Sequence, residues 1–331
     1  MPTSAHVILM REYGPPRVLT RAEVSLPPLK PGDVRIRSIA SAVNHTDLEI
    51  RAGNWPIRAP DPFPYIPGVE VVGEIVAIGS DVLDFCRGDR VITMMQGLGG
   101  VRAERTGGYA EYLDVAAAAA TTLPAGVDPY DIAAFGLVGI TAYEGLRRIG
   151  SMPNKRILVT GAAGGIGSAA VAIARAQEAL VTGVISRPEH EEAVRALGAC
   201  AVVISPKDAP PVLEAATFDG VIDAVGGHLF GTCVKALRPG GVLSFVGAVA
   251  GGNVNFDAWE LIRPVTLTGY SSETLDGHAL RDGISALTNR LSAGLIRPPN
   301  YTIQPLAEAA RAHELLESHE LTGRVLLSPQ N

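Results

Sequence analysis

The chain has 331 residues, a formal net charge of −6 at pH 7, 47% hydrophobic and 19% charged residues, and three scattered cysteines, Cys86, Cys200 and Cys233. This length buries ample core without staples and predicts two domains or one large one. The odd cysteine count excludes a disulfide scaffold and a zinc site of cysteine pairs, and the absence of a basic run argues against a nucleic-acid surface.

In chain order, Val7-Ile-Leu-Met10 is too short for a secretory core and runs into Arg11-Glu12, which predicts a cytoplasmic protein. Val34–Ser38 alternates apolar or small residues with arginines, as a half-buried strand does. Further strands are predicted over Val69–Ile78, Arg90–Ile92 and Tyr109–Leu113, and Ala116–Ala120 reads as a packed turn or strand edge. Short strands punctuated by Gly and Pro suggest a small barrel or sandwich. From Asp131 the rhythm changes. A helix over Ile132–Arg148, stopped by Gly150, leads to a strand at Arg156–Thr160, a glycine-rich turn, and a helix at Ser168–Gln177. Strands at Leu180–Ile185, Ala201–Ile204, Gly220–Val225 and Gly241–Val246 follow, with a helix at Glu189–Leu197. This alternation specifies an α/β doubly wound parallel sheet. After Pro264 come a strand at Thr266–Tyr270, a helix at His278–Ala293 and a strand at Gly323–Leu327. The uncharged stretch Ile157–Ala174 is broken by four glycines, Gly161, Gly164, Gly165 and Gly167, so it reads as strand–turn–helix and not as a membrane span.

Gly161-Ala-Ala-Gly-Gly-Ile-Gly167 sits between a strand and a helix, where glycine lets backbone approach a pyrophosphate and the helix offers free N–H groups. Gly164, Gly165, Ile166 and Gly167 are the candidate contacts, with Ala162 where the usual first glycine stands. An NAD site places a carboxylate at the end of the second strand. Here the sequence is Ile185-Ser186-Arg187-Pro188. Ser186 can donate to a 2′-phosphate and Arg187 can pair with it in a fork, which favours NADPH over NADH; the alternative is an ordinary solvated arginine.

Eight motifs in order carry a wider resemblance. They are Asn44-His-Thr-Asp47…Arg51-Ala-Gly53, Pro67-Gly-Val-Glu70-Val-Val-Gly73, Gly107-Gly-Tyr-Ala-Glu-Tyr112, Leu137-Val-Gly-Ile-Thr-Ala-Tyr143, Gly161–Gly167, Asp223-Ala-Val-Gly-Gly227, Leu237-Arg-Pro-Gly-Gly241 and Thr322-Gly-Arg-Val325. Over essentially its whole length the chain resembles the medium-chain dehydrogenase/reductase superfamily, and most of all its zinc-free quinone oxidoreductase branch, the relatives of ζ-crystallin. The resemblance implies a GroES-like β-barrel catalytic domain over 1–125 and 272–331 and a Rossmann domain over 126–271, with nicotinamide and substrate in the cleft between them. Zinc-dependent members carry Cys and His where this chain has Asn44 and Val69, so neither a catalytic nor a structural zinc is expected. Without a metal, alcohol oxidation lacks a means to stabilise the alkoxide. Hydride delivery to a quinone or enone yields a stabilised anion and needs only a hydrogen-bond donor and a proton.

The resemblance also implies roles. Asn44 would lie beside nicotinamide and substrate and donate to the developing oxyanion, or else cap the turn before Asp47. Trp55 would line the pocket or pack in the core. Asp47 and Arg51 would form a structural ion pair, and His45 shows no partner to make it a general acid. Thr141 would approach the nicotinamide ribose, with Val225, Gly226, Phe245, Val246 and Gly247 along the nicotinamide side; core packing is the alternative for Phe245. Glu49 replaces a frequent tyrosine of relatives, and Ile204-Ser205 replaces an Asn-Tyr pair common in NADP-dependent ones. The expected protein is an NADPH-dependent reductase of quinones or other α,β-unsaturated carbonyl compounds. An enoyl-thioester reductase and a non-catalytic NADPH-binding protein are the alternatives. The resemblance further implies a homodimer through the strand at Thr266–Tyr270 and permits an RNA-associated role, which the net charge of −6 makes the weaker expectation; no membrane partner is expected. The segments Asp61–Ile66 and Gln96–Arg105 bear no chemical signature of a substrate.

Overall fold

The computed structural model describes residues 2–55, 57–58, 61–95, 98, 105–206, 211–275, 277–318 and 323–330. Most of the Gln96–Arg105 segment and Thr322 of the last motif lie outside the described residues.

The chain opens with an antiparallel pair, β1 (Ser4–Leu9) and β2 (Thr20–Ser25). Next come β3 (Asp33–Ala42), α1 (His45–Ala52), β4 (Glu70–Ile78), β5 (Arg90–Met94), β6 (Tyr112–Ala116) and β7 (Ala120–Thr122). The predicted alternation of β3 implied one wet face, but nearly all of β3 is buried. It runs between β4 on one side and β6 and β15 on the other, and the Arg35 guanidinium is held by both oxygens of Asp114, at 2.7 and 2.8 Å. A bidentate pair of this kind lets an arginine sit inside a sheet.

The helix α2 (Pro129–Ile149) is kinked at Gly136 (φ 26°, ψ −126°). Beyond it lie β8 (Arg156–Val159), α3 (Gly165–Ala176), β9 (Leu180–Ile185), α4 (Glu191–Ala196), β10 (Ala201–Ile204), β11 (Phe218–Asp223), α5 (Leu229–Ala236), β12 (Leu237–Phe245) and β13 (Thr266–Gly269). These strands form one six-stranded sheet in the order β10-β9-β8-β11-β12-β13, and every pair is parallel. The order reverses between β8 and β11, and doubly wound sheets bind ligands at such a switch point, outside the carboxyl ends of the strands. The chain ends with α6 (Gly277–Ser292), β14 (Tyr301–Pro305), α7 (Ala309–Glu317) and β15 (Arg324–Ser328), the last inserted between β14 and β3 of a seven-stranded sheet.

Two compact units result, 1–137 with 273–288 and 300–331, and 138–272 with 289–299. Residues 126–137, expected with the dinucleotide-binding part, pack with the first unit because Leu137 N–H is bonded to Glu70 at 2.7 Å. Residues 289–299 join the second, where Arg290 lies 5.6 Å from the Tyr143 ring centroid. Separate apolar cores support the two units, one around Val34, Ile36, Ile75 and Leu113, the other around Leu158, Val221, Cys233 and Leu243. Among the described residues no helix is long and apolar enough to cross a membrane.

Candidate functional site

In the second unit the site is built mostly of backbone. Gly161 adopts φ +59°, and the N–H of Gly164 closes the turn onto the Gly161 carbonyl at 2.8 Å. Ala162 N–H donates to Val184 O at 3.0 Å, tying the turn to β9. A Cβ on Gly167 would overlap the Gly161 carbonyl, so this position requires glycine for packing within the turn. Gly164 is the N-cap of α3 and supplies no capping side chain, and no acidic residue stands in the first turn. Gly164 is exposed and Gly165 and Ile166 are half-buried, so the start of α3 is open to solvent. A twelve-residue helix with such an N-terminus can hold a phosphate oxyanion.

Beside the turn, the ends of β8 and β11 are stitched together. Thr160 Oγ1 donates to Asp223 Oδ1 at 2.6 Å, and Ala224 N–H donates to Thr160 Oγ1 at 3.1 Å. Asp223 Oδ1 also accepts from the N–H groups of Val225 and Gly226, at 3.0 and 3.1 Å, and so shapes the turn that carries both. A Cβ on Gly161 would touch Val225 at 3.0 Å, and Val246 N–H donates to Asp223 O at 2.8 Å. Gly161–Gly167, Val225–Gly226 and Val246–Gly247 are thereby brought together at adjacent strand ends. Phe245 has its ring edge-on to Phe230, with centroids 5.8 Å apart, and belongs to the core. Ser186, exposed, and Arg187, half-buried, follow the end of β9 next in the sheet. Thr141 is buried in α2, one turn before Gly145, whose missing Cβ leaves room for Val246.

In the first unit the polar groups are side chains, and they are buried. Asn44, the N-cap of α1, donates from Nδ2 to Glu70 Oε1 at 2.7 Å and to Ala42 O at 3.3 Å, while its Oδ1 accepts from Arg324 at 2.9 Å. Arg324 also donates to Glu70 Oε1 at 3.1 Å. The second Glu70 oxygen, Oε2, accepts from Leu137 N–H at 2.7 Å. Asp47 accepts from the N–H groups of Asn44 and Val69, at 2.9 and 3.1 Å. Its carboxyl is pushed up to about 7, chiefly by burial, with the Glu70 charge adding to the push and two N–H donors and Arg324 opposing it. Burial likewise raises Glu70 and lowers Arg324.

The expected Asp47–Arg51 pair does not form. Asp47 faces Arg324, and Arg51 instead forms an ion pair with Glu317 and lies 3.4 Å from His313 Nδ1. A guanidinium only donates, so Nδ1 accepts and the His313 proton sits on Nε2, from which it donates to Tyr109 Oη at 3.1 Å. The Tyr109 hydroxyl is then left to donate to Asp47. Burial first, and the Arg51 charge second, bring His313 down to about 3. His45 has a partner after all, Glu49 one turn on at 3.3 Å. Trp55 is half-buried. Glu70, Tyr109, His313 and Arg324 escaped the sequence reading as site residues. Three of them stand inside the motifs quoted above, and the available signal was a charge opening an apolar strand run, as in Glu70-Val-Val and Arg324-Val-Leu-Leu.

The two positions where zinc-dependent members carry Cys and His hold an amide and a valine, and the neighbouring Asp47 and Glu70 carboxylates are occupied by N–H donors and a guanidinium, a donor set that does not fit zinc.

Residues 30–125 match the family described as the alcohol dehydrogenase GroES-like domain, and 165–282 match the zinc-binding dehydrogenase family. The quinone oxidoreductase of Lama guanicoe is 31% identical over 97% of this chain and 96% of its own. Alcohol dehydrogenase 1 of Emericella nidulans is 30% identical over 99% and 98%. Among solved structures, the Escherichia coli quinone oxidoreductase complexed with NADPH superposes with a TM-score of 0.85 at 25% identity, covering 98% of this chain and 100% of that one. With a GroES-like part, a parallel Rossmann sheet and relatives matching end to end, the chain belongs to the medium-chain dehydrogenase/reductase superfamily of oxidoreductases, in its quinone oxidoreductase branch.

Proposed function

We propose that the protein is an NADPH-dependent, zinc-independent reductase that delivers hydride to quinones or other α,β-unsaturated carbonyl compounds. The observation that carries this reading is the uncapped start of α3 at the β8/β11 switch point, with Ser186-Arg187 and no carboxylate at the neighbouring strand end. The N–H groups of Gly165, Ile166 and Gly167 would hold the pyrophosphate, and Ser186 and Arg187 the 2′-phosphate. Thr141, Val225, Gly226, Val246 and Gly247 would orient the nicotinamide end. When bound, the dihydronicotinamide supplies the hydride.

The chain's own share of the chemistry is to bind, orient and stabilise charge. As hydride arrives at a quinone or enone, negative charge builds on the carbonyl oxygen. Asn44 would meet it with the Nδ2 hydrogen that otherwise makes the long 3.3 Å bond to Ala42, since its other hydrogen is held at 2.7 Å by Glu70. The Lama guanicoe relative's name and the NADPH complex of the Escherichia coli enzyme support acceptor class and cofactor respectively. Stopped-flow oxidation of NADPH with a benzoquinone, an enone and an enoyl-CoA tests the reading. Turnover with either of the first two is expected; preference for the thioester would reassign the acceptor, and tight NADPH binding without any turnover would refute the enzyme. We further propose a second copy of the chain as partner along β13. That strand is an open sheet edge, preceded by Trp259 and Ile262, 75% and 70% exposed, and like edges pair across a two-fold axis. A monomer by sedimentation at micromolar concentration would refute this.

A further inference from the structure

Resting on the reductase reading, we infer that Glu70 is a positioning residue, which aims the Asn44 amide and fixes the start of the helical segment 137–149 with one carboxylate. Three observations converge on it. First, Asn44 cannot flip its amide. Arg324 has no acceptor and must face Oδ1, at 2.9 Å, so Nδ2 is turned to Glu70 Oε1, at 2.7 Å. One Nδ2 hydrogen is thereby held, and the direction of the other is set.

Second, Glu70 Oε2 accepts from Leu137 N–H at 2.7 Å, immediately after the kink. A kink frees the N–H groups of the turn that follows, and a carboxylate placed there does the work of an N-cap with favourable charge. The segment it caps runs on to Thr141. Third, Gly136 makes room for this. Its φ of +26° suits glycine, and a Cβ there would overlap the Glu70 carboxylate. The insertion of Glu70 into the kink is therefore written into two positions of the sequence, Glu70 and Gly136.

An ordinary structural carboxylate would explain stability but not the division of labour between its oxygens. Glu70→Gln has nearly the same shape, yet one oxygen becomes a donor that opposes the Asn44 amide or the Leu137 N–H. In this variant kcat is expected to fall at least about tenfold, the loss of an aimed oxyanion donor, with the KM for NADPH within about twofold. Amide hydrogen exchange should rise over 137–141 and stay unchanged over 161–167. The double variant Asn44→Asp/Glu70→Gln exchanges donor and acceptor across the 2.7 Å bond. It should regain exchange protection and melting temperature but not kcat, because the carboxylate has no hydrogen to offer. Recovery of kcat in the double variant, or kcat within twofold of wild type in Glu70→Gln, overturns the inference. If the single variant does not fold, the double variant decides by the same comparison. A wild-type protein without turnover on any acceptor would defeat the reductase reading instead; exchange over 137–141 in Glu70→Gln still decides whether Glu70 holds that segment, and no change there overturns the hold.

Discussion

The switch-point crevice and the Asn44–Glu70–Arg324 cluster solve opposite problems with opposite materials. At the crevice, glycines remove side chains and leave backbone at the start of α3, and the residues the proposal uses lie on adjacent strand ends. In the cluster, two carboxylates and one guanidinium are withdrawn from water altogether, each satisfied by partners fixed in advance. A site made of absent side chains is cheap to fold and depends on its ligand for complement. A site made of buried charges carries its complement within it, and it fails when any one member is lost.

The sharpest way to break the contrast is Arg324→Met. Removing the guanidinium leaves Glu70 and Asp47 facing each other in the dry interior, and unfolding in urea should show a loss of about 3–5 kcal/mol. Next comes pH. His313 is held near 3 when folded but titrates near 6.5 in its ordinary state, so between these values the unfolded chain binds the extra proton. Its contribution is complete above about pH 6.5 and is lost as pH falls toward 3, with a slope of up to about 1.4 kcal/mol per pH unit. Asp47 works in the opposite sense. Its carboxyl, raised to about 7, favours the folded state when protonated, and that contribution is lost as pH rises through 7. Between about 3.8, the ordinary value of an aspartate carboxyl, and about 6.5 the two slopes oppose each other, so together they should leave the unfolding free energy nearly flat there, and His313→Gln should leave it falling as pH rises toward 7.

At the crevice the effects should be smaller and should appear in affinity. Gly167→Ala forces the turn apart at the Gly161 carbonyl, and fluorescence titration should show NADPH binding weakened about tenfold or more, about 1.4 kcal/mol. Arg187→Ala should reduce the ratio of NADPH to NADH affinity by about tenfold, the value of one half-buried charge-assisted bond. An unchanged ratio would remove Arg187 from the phosphate site.

Legibility followed the same division. The parallel sheet announces itself locally, because strand, glycine turn and helix occur within about twenty residues and the order of elements fixes their neighbours. Gly167 could be singled out since its neighbours in space are its neighbours in sequence. The cluster could not, because Asn44 meets Glu70 26 positions on and Arg324 280 positions on. No period or spacing carries such a contact; the motif pairs Asp47 with Arg51, whereas the fold supplies Arg324. The kink at Gly136 was hidden for a related reason. A lone glycine in a helical pattern reads as tolerated, and only the Glu70 side chain, far away in sequence, explains why the helix is broken there. The hairpin β1–β2, the strand β14 and the helices α1, α5 and α7 carry no clear sequence pattern; they are short, and their burial comes from tertiary neighbours more than from their own pattern.

The position of β15 has a consequence for how the protein is made. The strand that fills the gap between β14 and β3 also carries the only guanidinium that Glu70 touches among the described residues, and it lies near the end of the chain. The parallel sheet has all six strands once residue 269 has left the ribosome. The first unit, though begun earlier, lacks β14, β15 and the guanidinium partner of Glu70 until residue 328 is free. Synthesis and assembly therefore run in opposite order: the part translated first is the part that closes last.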